Sequence, residues 1–456
     1  MAKKKQIELT IEEKLQNALV PKEEQPYKIP SNWCWSYWKY CGKFIAGNGF
    51  KNIYQGFTQY DIPYYKVGSL KFCDEENYLI DETNTINEEI RTKLKAVKIP
   101  VNSIIFAKIG EAIKLNRRCL NKIECCIDNN LMAFISEKYF YKYIFYWTKS
   151  LNFYELTNAT TVPALRKTDL ENIPIPLPPL NEQQRIVNRI ESLFAKLDRA
   201  KELIENTLAQ FEQNKMAILH KAFTGELTAK WRKENNIDLS SWQEKTIDEL
   251  CTSLKYGTSK KSKPEGSVVV LRMGNLQNGE IDWSNLMYTD DKDDIEKYLL
   301  KKGDVLFNRT NSPELVGKTS IYRGEYPAIY AGYLIKLDYG KDIIGEYLNY
   351  MMNSTKAKHY CYTVKTDGVS QSNINAKKIG AFEIPVPTIE EQQEIVNILD
   401  KLLAKYNKIK NLEQQLEKIE LLKKAILAKV FRGELGTNNP DEESAENLLK
   451  EILAEK

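Results

Sequence analysis

Residues 176–197 read "PLPPLNEQQRIVNRIESLFAKL" and residues 385–406 read "PVPTIEEQQEIVNILDKLLAKY". Gln183-Gln184 of the first stretch answers Gln392-Gln393 of the second, an offset of 209 residues (392 − 183 = 209). A repeat this long, in a chain of 456 residues, points to two whole domains rather than to a solenoid. The match runs outward in both directions. Each stretch continues into a charged-and-apolar tract that ends "KAFTGEL" (221–227) or "KVFRGEL" (429–435). There the offset is 208 (433 − 225 = 208), so the second tract is one residue shorter. Upstream, "IPSNW" ending at Trp33 answers "DLSSW" ending at Trp242. "YYKVGSL" (64–70) resembles "VLRMGNL" (270–276), and "NSIIFAK" (102–108) resembles "GDVLFNR" (303–309).

The tracts predict helices. Pro178 and Pro179 halt the preceding structure, Asn181 is placed to cap the helix, and Glu182 falls in its first turn. Ile186, Ile190, Leu193, Leu197, Ala200 and Ile204 alternate steps of four and three, the seam of a coiled coil. Leu208 and Phe211 follow after two fours in succession. In the second tract Ile395, Leu399, Leu402, Tyr406, Ile409, Leu412, Leu416 and Ile419 contain two threes in succession, where the lost residue falls. Gly225 and Gly433 then stop the helices. A helix of about 40 residues spans about 60 Å.

The upstream regions are rich in β-branched and aromatic residues, with turn signals at "GNG" (47–49), "QNGE" (277–280) and "TDG" (366–368). "SVVVLRM" (267–273) and "DVLFN" (304–308) read as buried strands. The expected fold class is α+β: two mixed α/β domains separated by two long antiparallel coiled-coil helices, with an internal pseudo-twofold repeat. The expected division is an N-terminal helical extension (1–24), a first mixed domain (25–175), a first spacer helix (176–228), a second mixed domain (229–384), a second spacer helix (385–437) and a C-terminal extension (438–456).

Composition narrows the function. With 42% hydrophobic and 28% charged residues the chain reads as an ordinary soluble protein. Its basic opening lacks the apolar segment of a signal peptide, and no stretch approaches the roughly 20 apolar residues of a membrane span. Eight cysteines form no CxxC pair and there are only two histidines, so a zinc site is not expected; free thiols fit a cytoplasmic protein. "VGKTS" (316–320) lacks the upstream glycine of a phosphate loop. "NNPDEE" (438–443) lacks the second proline and the aromatic residue with which amino-methyltransferases hold a flipped base. Intrinsic catalysis is not expected. The net charge of +4 is only mildly basic, so a nucleic-acid partner has to be argued from local clusters.

Both mixed domains carry such clusters. "LKYGTSKKSKP" (254–264) offers Tyr256, Thr258, Ser259, Lys260 and Lys261: cations for phosphates, and hydroxyls for phosphates or base edges. Arg272 and Asn275 are the side-chain types that read guanine and adenine bidentately. Polar loops add Arg309 and Asn311, Lys318, and Ser370 and Gln371. The first domain offers Lys51, Asn52, Gln55 and Gln59 in "GNGFKNIYQGFTQY" (47–60), then Lys66 and Ser69, Lys108, and Lys114 and Arg117. Taken singly, a lysine run is ordinary solvated surface; two divergent domains on two similar helices make the combination meaningful.

The duplicated "IPIPLPPLNEQQRIV"/"IPVPTIEEQQEIV" signature, the helices ending "KAFTGEL" and "KVFRGEL", and "YGTSKKS", "LRMGNLQNGEI", "GDVLFNRTNS" and "IPSNWCW" resemble the specificity subunits of type I restriction–modification enzymes. The resemblance covers nearly the whole chain. It implies that the mixed domains are target-recognition domains, each reading half of a split site in double-stranded DNA. It also implies that the helices set the gap and hold two modification subunits. Those would bind S-adenosylmethionine and methylate adenine, and restriction/translocase subunits using ATP and Mg would join them; this chain itself would bind no cofactor or metal. Partner docking is expected on the exposed faces of the helices and at their proline-rich starts, with Pro178, Glu182, Gln183 and Gln184 and their counterparts Pro387, Glu391, Gln392 and Gln393. Two other readings stay open: a specificity subunit for a combined nuclease–methylase of the type IIB kind, and a coiled-coil scaffold that does not touch DNA.

Overall fold

The computed structural model describes residues 9–137, 139–157, 162–407 and 410–455, with the side chains of 405–407, 410 and 411 left aside. The chain forms two compact units, Met1–Glu202 with Gln415–Lys456, and Leu203–Gln414. Among the described residues no helix is long and apolar enough to cross a membrane.

In the first unit a four-stranded antiparallel sheet has the spatial order Gly42–Ala46, Leu131–Ser136, Ile104–Ala107, Arg118–Leu120. A second sheet places Ile62–Tyr65 between Thr85–Ile86, antiparallel, and Cys126–Ile127, parallel. The second unit repeats both. Its four strands run Cys251–Tyr256, Leu334–Tyr339, Val305–Asn308, Thr319–Ile321, and Val268–Leu271 lies between antiparallel Tyr288–Thr289 and parallel Ala328–Tyr330. The central strands bury every residue, Ile104 to Ala107 and Val305 to Asn308, which is why they read as continuous apolar runs without alternation. The second unit adds a hairpin, Leu276–Gln277 with Glu280–Ile281, turning on Asn278 and Gly279 at positive φ. It also adds a small sheet in the order Thr310–Asn311, Ser372–Asn373, Thr366–Asp367.

Each head is closed by a two-stranded ribbon that leads into a long helix: Cys34–Tyr37 with Pro174–Leu177, and Gln243–Thr246 with Glu383–Val386. The first helix is Leu180–Phe223; the second tract forms Ile389–Asn407 and Lys410–Val430. The helix begins at Leu180, so Asn181 lies inside it and does not cap it. Both ends stop as expected, on Gly225 and Gly433 at positive φ, with Leu227 N–H and Glu434 N–H bonded back to Lys221 and Lys429 carbonyls. Tyr406 and Ile409 of the expected seam fall outside the described side chains.

Within each unit the start of one tract runs antiparallel to the end of the other. In the first, Ile186, Val187 and Ile190 share a core with Leu427, Val430 and Phe431, while Asp198 pairs with Lys423. In the second, Leu219, Ala222 and Phe223 share a core with Ile395, Val396 and Leu399. The helices Ile11–Ala18 and Ala445–Ala454 both contribute to the first unit's core, through Leu15, Ala18, Leu449, Ile452 and Leu453.

The Glu-Gln-Gln signature corrects the expected docking site. Pro178, Glu182, Gln183, Pro387, Glu391 and Gln392 are buried, so they have no surface to offer a partner. They lock each head to its helix. Gln183 donates to Pro178 O at 3.0 Å and accepts the Phe140 N–H; Gln392 donates to Pro387 O at 2.9 Å and accepts the Ile344 N–H. Trp33 Nε1 donates to Glu182 at 2.8 Å and Trp242 Nε1 to Glu391 at 2.9 Å. Only Gln184 and Gln393 face outward, each donating along its own helix to Asn188 or Asn397.

The two glutamates differ in what else they meet. Glu391 accepts Thr228 Oγ1 and Arg232 Nη1, both at 2.6 Å, a buried ion pair. Glu182 instead accepts Asn438 Nδ2 at 3.0 Å and Thr437 Oγ1 at 3.3 Å, both neutral donors. Burial raises the Glu182 carboxyl above its ordinary value, against those donors. A folded-state value raised in this way gives a contribution fully present below the unfolded value of 4.5 and lost as pH rises through the folded one. Protection of the Trp33 indole N–H against hydrogen exchange is therefore expected to weaken with rising pH across that window. Glu182→Gln should remove the slope; an unchanged slope would assign it to other groups.

Candidate nucleic-acid interface

The polar loops of the second unit converge on the end of its central strand, at Asn308 and Arg309. Asn308 is fully buried and donates to Met273 O, inside the turn that follows Val268–Leu271. Arg309 stacks on the Tyr256 ring at 5.0 Å and donates to Gly332 O and Asn373 Oδ1, both at 3.3 Å. Asn373 belongs to the hairpin whose tip carries Ser370 and Gln371, both exposed, beside a fully exposed Val369. Arg272 leaves the neighbouring corner and donates to Asn285 O at 3.0 Å. The Nε atoms of Arg272 and Arg309 are buried without a hydrogen-bond partner, so neither guanidinium is fully satisfied. Lys318 reaches Gln277 Oε1 at 2.7 Å, and Asn311 accepts the Ser312 N–H.

The lysine loop is set by Gly257, where a Cβ would stand 2.1 Å from Tyr330 O; only glycine allows the parallel crossing of Thr258 with Ala331. Ser259 and Lys261 are exposed, whereas Lys260 pairs with Asp291 at 2.6 Å. Three expected contacts are corrected. Thr258 is buried, donating to Asp294 and accepting the Lys260 N–H. Asn275 is buried, accepting Arg272 N–H and donating to Asp282 O, so it builds the corner from which Arg272 projects. Ser69 is buried and does the same for Lys66, whose N–H it accepts at 3.0 Å.

The first unit repeats this plan with different side chains. Lys108 occupies the place of Arg309: its N–H bonds Asn130 O and its carbonyl accepts Leu165 N–H, as Arg309 bonds Tyr333 O and Ile374 N–H. Gly47, like Gly257, is met by a crossing backbone, with Asp128 O 1.9 Å from a built Cβ. Lys66 donates to Gln55 Oε1 at 2.7 Å, and Gln55 donates in turn to Phe50 O and Asn52. Lys51 and Asn52 are exposed on the same segment. Gln59 caps the Thr58 N–H; Lys114 pairs with Glu111, and Arg117 is exposed before Arg118–Leu120. Among the described residues no hydrogen bond or ion pair joins these three to Lys66 or Lys108. Sequence reasoning missed Asp128 and Asn130, which cross beside Gly47, and the half-exposed Tyr333. The "DNN" at 128–130 was a usable turn signal; Tyr333 had none.

Comparison with known proteins follows the same division. A family profile described as type I restriction modification DNA specificity domain matches residues 50–210 and again 240–421. The chain is 30% identical over 317 residues to the type I restriction enzyme EcoKI specificity subunit of Escherichia coli strain K12, covering 66% of this chain and 68% of that protein. To the StySPI specificity subunit of Salmonella potsdam it is 28% identical over 335 residues, covering 69% and 71%. Among solved structures, a chain from work on complex assembly and conformational transition of the type I R-M system aligns with a TM-score of 0.67 at 19% identity. The HsdS subunit from Thermoanaerobacter tengcongensis aligns at 0.50 and 20% identity. Both cover 90% of this chain and 100% of the other, and at such identities the likeness concerns the fold.

Proposed function

Because the chain belongs to the type I restriction–modification DNA specificity family, we propose that it acts as the sequence-specificity subunit of such a system. Its mixed domains, 25–175 and 229–384, are target-recognition domains, each reading one half of a divided duplex site. The observation that carries this reading is the repeated edge: two heads of one strand order present a basic side chain at the same two corners, Lys66 and Lys108 or Arg272 and Arg309, amid otherwise different loops. Two different readers on one plan suit a site whose halves differ in sequence. Lys51 and Lys261 meet phosphates; Arg272, Arg309 and Gln371 are the side chains suited to base edges.

The chemistry belongs to partners. Two modification subunits would bring S-adenosylmethionine for adenine methylation, and restriction/translocase subunits would bring ATP and Mg, all acting in the cytoplasm. Docking falls on exposed helix faces rather than on the buried signature, with Leu421 and Leu422, 63% and 49% exposed, as its apolar contacts. Replacing both leucines by serine is expected to weaken modification-subunit capture while leaving the chain folded; undiminished capture would move docking elsewhere. Relatives named as type I specificity subunits favour this reading over a combined nuclease–methylase or a scaffold without DNA.

The deciding experiment maps adenine methylation genome-wide in cells carrying this chain and its modification subunit, with and without an intact copy of its gene. A split motif present only with the intact gene is expected; its absence, with both proteins soluble, would return the chain to the scaffold reading. On that motif, Lys261→Gln should lower the slope of log affinity against log salt by about one, since each phosphate contact contributes about 0.9.

A further inference from the structure

We propose that Cys73 and Cys119 form a peroxide-responsive thiol pair in the first unit, closing reversibly to an intramolecular disulfide. Their Sγ atoms lie 2.8 Å apart, and a disulfide at about 2.05 Å requires less than about 1 Å of further approach. Both are free thiols. Cys73 follows the turn Val67–Lys71 and is partly open to solvent, whereas Cys119 is buried in Arg118–Leu120, its Sγ 3.5 Å from Leu70 O. The two segments are already held together, since Cys73 bridges Leu79 and Leu79 N–H bonds Leu120 O at 2.8 Å.

The surroundings favour reaction at Cys73. Contact with Cys119 holds its thiol below the ordinary value despite burial, and the charges of Lys149 and Arg117 act in the same direction. Burial does the opposite elsewhere, pushing Cys34, Cys251 and Cys361 up to about 12 and Cys126 up to about 11. A partly exposed thiol held below its ordinary value beside a buried resolving thiol is the arrangement of a redox-sensitive pair.

The chemistry balances with hydrogen peroxide as the oxidant. The Cys73 thiolate attacks one peroxide oxygen, the O–O bond breaks, and hydroxide leaves, giving a sulfenic acid. Cys119 then attacks the Cys73 sulfur, forming the S–S bond and expelling the sulfenic oxygen as water. Two thiols and one peroxide become one disulfide and two waters. A dithiol reductant returns the electron pair by exchange.

The test treats the full chain with hydrogen peroxide in steps, blocks remaining thiols with iodoacetamide, and maps peptides without reduction. A linked Cys73–Cys119 peptide should appear before any other cysteine is modified, and dithiothreitol should remove it. Cys119→Ser should leave Cys73 as a sulfenic acid that dimedone traps. The proposal fails if both thiols are still alkylated when other cysteines have reacted, or if Cys73 proceeds to sulfinic acid unlinked. The mapping on the unmutated chain decides the matter even where the serine variant does not fold.

Discussion

Replacing Glu391 by Gln is expected to loosen the second unit at the start of its long helix, at a cost of about 3–5 kcal/mol. The Glu391 carboxylate and the Arg232 guanidinium are both withdrawn from water, 2.6 Å apart. An amide in that place removes the charge, and with its carbonyl kept on Thr228 and Arg232 it turns its NH2 toward the Trp242 indole N–H, which is itself only a donor. Arg232 keeps Gly225 O, at the helix stop, but its charge is left buried and unpaired. Glu182→Gln should cost under about 1 kcal/mol, because a glutamine carbonyl still accepts Trp33 and Asn438, and its NH2 can donate to the Thr437 hydroxyl. Arg232→Met added to Glu391→Gln should recover part of the loss. Hydrogen exchange across residues 225–250 and at the start of Ile389–Asn407 measures it. Equal costs at Glu182 and Glu391 would contradict the account.

That asymmetry marks the limit of what one sequence tells. The helices were legible because their signals are local: Ile186 and Ile190 recur at helical spacing, and Gly225 and Gly433 stop the tracts by their backbone freedom. The buried strands at Val268–Leu271 and Val305–Asn308 were legible as apolar runs. Their neighbours were not, since Gly42–Ala46 finds its partner far along the chain at Leu131–Ser136 and no local pattern encodes the pairing. The Glu-Gln-Gln signature misled for a related reason. The groups that satisfy its polar side chains are distant in sequence, Trp33 and Trp242 each 149 residues before the glutamate they bind.

The candidate interface divides along the same line. Lys66 with Arg272, and Lys108 with Arg309, follow from the repeat alone, and their positions correspond residue by residue in the folded heads. Ser69, Asn275 and Thr258 looked equivalent to them in sequence, as small polar residues in the same loops. Each is instead spent on a backbone corner, because a short side chain can bond its own turn while a long cation cannot. What differs between the heads is the length and chemistry of the side chain standing on each corner, and this is the variable a reader of DNA has to change.

Gly257→Ala is the substitution expected to separate that chemistry from its scaffold. Its Cβ would stand 2.1 Å from Tyr330 O and 2.6 Å from Ala331 O, so one backbone has to move. The crossing there is held by Thr258 N–H to Tyr330 O at 2.9 Å and Gly332 N–H to Thr258 O at 2.7 Å. Forcing it apart costs about 1–3 kcal/mol in overpacking. It also draws Tyr256 away from Arg309 and displaces Ser259 and Lys261 together. Affinity for the second half of the site should fall by about tenfold or more, the equivalent of about 1.4 kcal/mol, while the first half is still read. Gly274→Ala is the control: it lies one turn from Arg272, yet nothing stands within 4 Å of its built Cβ, so binding should persist. Gly47→Ala and Gly49→Ala should reproduce the contrast in the first unit, where a Cβ on Gly47 meets Asp128 O at 1.9 Å and one on Gly49 meets nothing. Duplex binding to variants of the mapped motif, altered in one half at a time, reads all four. Loss in the Gly274→Ala chain equal to that in Gly257→Ala would show that the loops respond to any added methyl, and that the crossing does not position them.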